Sequence, residues 1–244
     1  MASRSATAPT SLAHRVAALD WRALEASLGE RGFARVPALL GGDECAALAA
    51  LWSDPTRFRS RVDMERHRFG VGAYQYFAAP LPPLVRALRV AVYRRLAPIA
   101  NRWAGALGEP TRYPPSLAGF LARCHAAGQT RPTPLLLRYE AGGYNCLHQD
   151  LYGELAFPLQ LTVFLSRPGV DYEGGPFLLV EQRPRMQSRA EVVVGGQGDM
   201  VVFPVGAHPV AGARGVYRAT MRHGVARIEQ GERFALGIIF HDAR

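Results

Sequence analysis

Gly231-Glu232-Arg233-Phe234-Ala235-Leu236-Gly237-Ile238-Ile239-Phe240 reads as a strand whose two faces differ in kind. Alternate side chains of an extended chain point to opposite sides, so Phe234, Leu236, Ile238 and Phe240 share one face and Arg233, Ala235, Gly237 and Ile239 the other. The bulky face suits packing against helices. The other sets a guanidinium among small neighbours, leaving room for a ligand, and its planar donors suit a bidentate grip on a carboxylate. Ten residues before Arg233 stands His223, in Arg222-His223-Gly224-Val225.

Upstream of this strand the chain continues in short apolar runs punctuated by Gly and Pro: 134–139, 159–165, 177–180, 191–194, 200–204 and 223–228. Many short strands at regular spacing predict a sandwich or small barrel. Before Gly128 the pattern is different. Apolar positions recur at helical spacing over 19–29 and 44–52, with a short strand over 33–37 between them. A long helical pattern over 84–103 is interrupted by Pro98, and a further helix over 114–127 opens with a Pro in its first turn. Residues 56–77, rich in Arg and aromatics without clean periodicity, read as loop and irregular strand. The expected organisation is an α+β chain of one structural domain, with a disordered tail over 1–18, a mainly helical support region over 19–130 and a sheet core over 131–244. The helices pack outside the sheet.

Composition sets bounds on partners and compartment. With 244 residues, 48% of them hydrophobic, the chain can bury a core of its own, and no apolar run approaches the length of a membrane span. Three cysteines without a CxxC pair fit a reducing compartment, the cytoplasm. A formal charge of +9 favours an anionic partner, nucleic acid or an acidic small molecule, although arginines spread over a solvated surface would give the same number.

His148-Gln149-Asp150 places an imidazole and a carboxylate on the same side of an extended segment, where both can converge on one point. A third ligand has to come from another strand. His223 supplies it and has Arg233 on a rigid mount beyond it. His208, with Arg218 ten residues on, is the rival, but it precedes a Pro and a Gly-rich stretch, and no long apolar strand follows Arg218. His67, His125 and His241 read as surface or satisfied core histidines, and Cys146 as a small buried hydrophobe rather than a ligand. Two His and one carboxylate leave three positions of an octahedron open, the facial triad of non-haem Fe(II) oxygenases.

The order of these motifs, HxD, a distal His, then Arg ten residues on in a closing apolar strand, resembles the 2-oxoglutarate/Fe(II)-dependent dioxygenase superfamily. Arg138-Tyr139 through His148-Gln149-Asp150 is similar to the prolyl-hydroxylase type, in which a Tyr at about the place of Tyr139 contacts the cosubstrate. Glu173-Gly174-Gly175-Pro176-Phe177 and Gly198-Asp199-Met200-Val201-Val202-Phe203-Pro204 resemble the mid-barrel turn and strand. The stretches 126–134, 181–189 and 240–243 further resemble a bacterial branch labelled as an oxygenase of damaged nucleic acid. This resemblance implies a double-stranded β-helix, or jelly roll. It implies Fe(II) held by His148, Asp150 and His223, 2-oxoglutarate anchored by Arg233 with Tyr139, O2 as oxidant and ascorbate as a reductant. The implied reaction is oxidative hydroxylation, or demethylation when the carbon attacked is an N-methyl group.

The expected substrate class is damaged nucleic acid, with a protein or peptide residue as the alternative and a non-enzymatic, cupin-like metal-binding module as a third reading. Arg131, Arg138, Arg183, Arg185, Arg189, Arg214, Arg218 and Arg222 flank the presumed mouth in sequence and could meet phosphates, and Tyr144, Tyr152 or Tyr172 could stack on an extruded base. The second arginine of AlkB-type repair enzymes, six residues after the distal His, is replaced here by Glu229, which argues against direct alkyl-base repair.

Overall fold

A computed structural model describes residues 11–213 and 215–244. In chain order the elements are α1 (Leu12–Ala17), α2 (Trp21–Arg31), β1 (Ala34–Val36), α3 (Gly42–Ala50), β2 (Phe58–Asp63), β3 (Gly70–Val71), β4 (Ala73–Phe77), α4 (Pro83–Ala106) and α5 (Leu117–Ala126), followed by β5 (Leu135–Glu140), β6 (Tyr144–His148), β7 (Leu159–Phe164), β8 (Tyr172–Gly174), β9 (Phe177–Gln182), β10 (Arg189–Val193), β11 (Met200–Pro204), β12 (Ala207–Gly212), β13 (Gly215–Val225) and β14 (Ile228–Ile239). Two antiparallel sheets result. The larger has the order β1-β11-β7-β14-β5-β4-β2, with β8 also on β14, and the smaller the order β10-β9-β13-β6-β3, with β12 also on β13. This is the two-sheet α+β architecture of the jelly roll, and among the described residues no helix is long and apolar enough to cross a membrane.

Strand β14 lies between β5 and β7 and divides its side chains as its alternation requires. Leu236, Ile238 and Phe240 are fully buried in a core shared with Leu161, Val163 and Met200 of the sheet and Leu88, Val92, Leu96 and Ile99 of α4, with Phe234 packed at its edge. Each such side chain contributes about 1.5–3 kcal/mol by leaving water. That burial explains why Pro98 does not interrupt α4. The helix runs through it, because Pro98 and Arg94, whose carbonyl loses its donor, both face solvent while the apolar face stays on the sheet. A second core, with Tyr139, Phe164, Phe177, Leu179, Phe203 and Val225, fills the space between the two sheets.

The front half departs from its expected role as a helical support. Strands β1, β2 and β4 extend the larger sheet and β3 the smaller, so no sheet boundary falls at residue 131. Arginines masked the alternation of β2: Arg59 lies 4.5 Å over the Tyr76 ring and Arg61 5.5 Å over Trp52, so cations cover aromatic surface at a sheet edge. Residues 11–17 are also not tail. Ser11 caps α1, Leu12 and Val16 are buried, and Arg15 pairs with Glu44 at 2.6 Å; the rest of the expected tail, 1–10, lies outside the described residues. Helix α5 starts at Leu117 with Ser116 as its N-cap, so Pro114 stands outside the first turn. The hairpin of β12 and β13 was not anticipated, and β13 carries both Arg218 and His223.

His241, beyond β14, is fully buried, and its Nδ1 accepts the Phe157 backbone N–H at 3.2 Å. Burial pushes its pKa down to about 4. Below the ordinary value near 6.5 the unfolded chain therefore binds a proton that the folded chain refuses, and stability falls with pH between those two values. The expected loss is roughly 3 kcal/mol between neutral pH and pH 4. Urea midpoints measured from pH 7 to 4.5 should fall for the wild type and fall less for His241→Gln, which keeps an acceptor for Phe157; parallel curves would remove His241 as the cause.

Candidate active site

Antiparallel pairing of β13 with β6 sets His223 directly opposite His148, and the ring centroids are 4.1 Å apart. A bulge follows His223, and Gly224 allows it: a Cβ there would lie 2.6 Å from the Asn145 carbonyl oxygen. Asp150 follows two residues after the end of β6. Its Oδ2 lies 3.2 Å from His223 Nε2 and its Oδ1 3.7 Å from His148 Nε2. One ligand atom from each of the three lies within 4.8 Å of the others, a 2-His-1-carboxylate cluster drawn from distant parts of the chain.

Charge states fit a divalent metal. Burial acts to raise the Asp150 pKa, but the hydrogen bond from His223, the two histidines and the Tyr152 hydroxyl outweigh it and hold the carboxyl well below the usual range. His148 is pushed down by burial and by its neighbour His223. Its Nδ1–H donates to the Cys146 carbonyl at 2.8 Å, which leaves the Nε2 lone pair on the side of Asp150. Carboxylate and neutral imidazole are the forms that ligate.

Arg233 occupies the inner end of the same cavity. It is 2% exposed, and its Nε and Nη1 are buried without a hydrogen-bond partner. In place of an acid it has the rings of Phe164 at 5.2 Å and of Tyr139 and Tyr172 at 5.8 Å each. Tyr139 faces Arg233 across the β5–β14 ladder, is fully buried, accepts from Asn145 Nδ2 at 3.3 Å and is raised by burial to about 12. Ala235, Gly237 and Ile239 line the same cavity as Arg233 and the triad, on the face that their alternation requires, and the cavity volume is about 370 Å³. Gln160 and His223, which also line this cavity, have buried nitrogens without partners, Nε2 and Nδ1 respectively. A small dianion with a carboxylate at one end and metal-binding oxygens at the other would match this set of donors.

The rival site dissolves. His208 is fully buried with Nε2 3.3 Å from Glu181 and its ring against Trp103, and Arg218 is paired with Glu109 at 2.8 Å, so both are engaged elsewhere. His125 pairs with Asp242, and His67 stacks on Phe69. Cys146 is exposed at the cavity, against its expectation as a buried hydrophobe, because only its backbone is needed to orient His148. The basic rim is partly neutralised: Arg138 pairs with Glu140 and Glu232, Arg183 with Glu181, and Arg189 with Glu181 and Glu191, whereas Arg131, Arg185 and Arg222 are exposed and form no ion pair among the described residues. Arg214 lies outside the described residues. Tyr152 does not offer a free stacking face with an idle hydroxyl, since it donates to Asp150 Oδ1 at 2.7 Å, and Tyr172 is buried beside Arg233.

Two parts of the site escaped the sequence reading. The turn between β2 and β4 brings Arg68 and Phe69 to the cavity, with Arg68 in the left-handed region at φ 59° and Phe69 47% exposed. Its residues had no period to betray them. The other is the bond of Tyr152, read as a stacking residue, to Asp150, which is legible in the two-residue spacing that also joins His148 to Asp150.

The two-sheet fold with its His-Asp-His triad is that of an oxygenase, the class that the family comparison names. A family model described as "Oxygenase, catalysing oxidative methylation of damaged DNA" matches residues 72–243, and the chain belongs to that family. It is 49% identical over 181 residues, 72% of this chain and 78% of the relative, to an uncharacterized protein of Mycobacterium tuberculosis strain H37Rv. Among solved structures, a 2OG-Fe(II) oxygenase family oxidoreductase from Burkholderia pseudomallei superposes with a TM-score of 0.55 at 16% identity, covering 93% of this chain and 94% of that one. A prolyl 4-hydroxylase from Phytophthora capsici does so with a TM-score of 0.53 at 15% identity, covering 98% and 68%. These two likenesses speak for the fold.

Proposed function

We propose that His148, Asp150 and His223 hold Fe(II), and that Arg233, with Tyr139, anchors 2-oxoglutarate for an oxidative hydroxylation or demethylation. The observation that carries this reading is Arg233, a buried cation with two unpaired nitrogens in a cavity that also contains the triad. An unpaired buried charge is costly, and it persists where a ligand completes it. When bound, the metal and 2-oxoglutarate supply the activation of O2 and the oxidation of a C–H bond, with succinate and carbon dioxide as the other products. The protein orients and excludes water. Arg233 fixes one end of the cosubstrate, Phe177, Phe203 and Val225 keep the inner cavity dry, and Phe69 and Leu147 stand at the mouth. Anaerobic addition of Fe(II) and 2-oxoglutarate, followed by O2, should yield succinate with ascorbate as reductant. No succinate above the metal-free level would sink the reading.

A residue of a protein or peptide is the substrate class that the mouth favours. Phe69 and Leu147 are 47% and 43% exposed there, whereas Arg138, Arg183, Arg189 and Arg218 are tied up in ion pairs. Damaged nucleic acid is the second reading, favoured by the family's description, by the net charge of +9 and by Arg68 beside Phe69 on the cavity. Salt separates them. Peptide binding should change little from 50 to 200 mM salt, whereas a duplex held through three phosphates should weaken roughly 40-fold over that fourfold rise. A steep salt dependence with methylated oligonucleotides, together with loss of the methyl group by mass, would overturn the peptide reading.

A further inference from the structure

The stretches 126–134 and 240–243 lie outside the triad and the Arg233 pocket, yet the fold brings them together at one place, underneath the loop that carries Asp150. Gln129 is their centre. It is fully buried, its Nε2 shares its two hydrogens among the carbonyls of Tyr152 at 3.1 Å, Leu155 at 2.9 Å and Asp242 at 2.7 Å, and its Oε1 accepts the Leu155 N–H at 2.9 Å. Thr133 bonds the His241 carbonyl, and Arg89 holds the Asp242 carboxylate at 2.8 Å, so the C-terminal segment is itself fixed to α4. Gly153, at φ 105°, permits the turn against Gln129; a Cβ there would meet the amide carbon at 2.6 Å. The loop is therefore clamped from below along the residues that follow Asp150.

What the clamp fixes is Tyr152. Its ring meets Tyr76 edge-on at 6.3 Å, Tyr76 is covered by the Arg59 guanidinium at 4.5 Å, and the His241 ring lies 6.2 Å away on another side. Held in this way, the hydroxyl reaches Asp150 Oδ1 at 2.7 Å, while Oδ2 faces His223. A carboxylate with one oxygen occupied by a strong donor has one oxygen left for a cation and loses its freedom to rotate between the two.

We infer that Tyr152, anchored by Gln129, is a positioning residue for the metal-binding carboxylate: its hydroxyl holds Oδ1 of Asp150 so that Oδ2 is presented to the ion. The inference rests on the proposed metal role of the triad. It assigns a purpose to the Gln129 and His241-Asp242 stretches that the chemistry of the site does not otherwise need. Partners of this kind are worth about 10–100-fold in metal affinity.

The test is an anaerobic titration of the whole chain with Fe(II) alone, paired with the visible spectrum of its Co(II) complex. Tyr152→Phe removes one oxygen and keeps the ring. It should bind Fe(II) about 10–100-fold more weakly than wild type and shift the Co(II) bands, a ligand-field change that looser packing by itself would not produce. Gln129→Asn, too short to reach the loop, should weaken Fe(II) binding in the same direction and serves if the first variant does not fold. Wild-type affinity and an unchanged Co(II) spectrum in the folded variants would overturn the inference while leaving the triad assignment intact. A wild-type chain that takes up no Fe(II) would overturn the triad assignment and this inference with it.

Discussion

Alanine at Asp150 or at His148 abolishes the substrate-uncoupled conversion of 2-oxoglutarate to succinate, lowering its rate by more than about a hundred-fold, since even partners that only orient a ligand are worth 10–100-fold. Each substitution removes one of three protein ligands. Asp150→Ala also removes the negative group that faces both imidazoles, at 3.2 Å from His223 and 3.7 Å from His148, so two histidines would then oppose a dication with no anion to balance them. His148 is half-buried and belongs to neither apolar core, so His148→Ala should unfold close to the wild-type temperature, whereas Asp150→Ala leaves the Tyr152 hydroxyl without its acceptor and should unfold somewhat lower. Succinate release followed by mass spectrometry reads the effect directly. Turnover near the wild-type rate in either variant would end the assignment of the triad.

Arg233→Met separates cosubstrate binding from folding. A charge-assisted, bidentate grip on a carboxylate is worth about 1.5–3 kcal/mol, so the 2-oxoglutarate requirement should rise roughly 10- to 150-fold. The unliganded chain should at the same time become more stable, because an apolar side chain of similar length replaces a guanidinium whose Nε and Nη1 have no partner. Added 2-oxoglutarate with metal should raise the unfolding temperature of the wild type more than that of the variant, by mass action on the folded state. Arg218→Ala, the control at an exposed pair with Glu109, should change none of these. An unchanged 2-oxoglutarate requirement in Arg233→Met would remove Arg233 from the cosubstrate site.

Much of this was written locally. Phe234, Leu236, Ile238 and Phe240 announced a helix-covered face, and three of them are fully buried against α4 while Phe234 packs at the edge of the same core. His148 and Asp150 declared a shared face through their spacing, and His223 followed from the need for a third ligand with an arginine beyond it. Other readings failed where neighbours distant in sequence outvoted local preference. Pro98 did not break α4 because the buried side of the helix outweighs one missing hydrogen bond on its wet side. Residues 58–63 and 73–77 joined the larger sheet because aromatic rings there accept arginines as cover.

The basic rim shows the limit most plainly. Sequence counts charges but not their partners: Glu109 reaches Arg218 far along the chain, and Glu232 and Glu181 reach Arg138 and Arg189 across a ladder. Periodicity and residue chemistry, which act over a few positions, determined the strand faces, the ligand types and the buried arginine. Tertiary structure alone decided that Tyr152 bonds the Asp150 carboxylate instead of a substrate, and that Gln129 holds the loop carrying both. Contacts of that kind depend on strand register and on which surfaces remain dry, and both are properties of the assembled sheets rather than of any one segment.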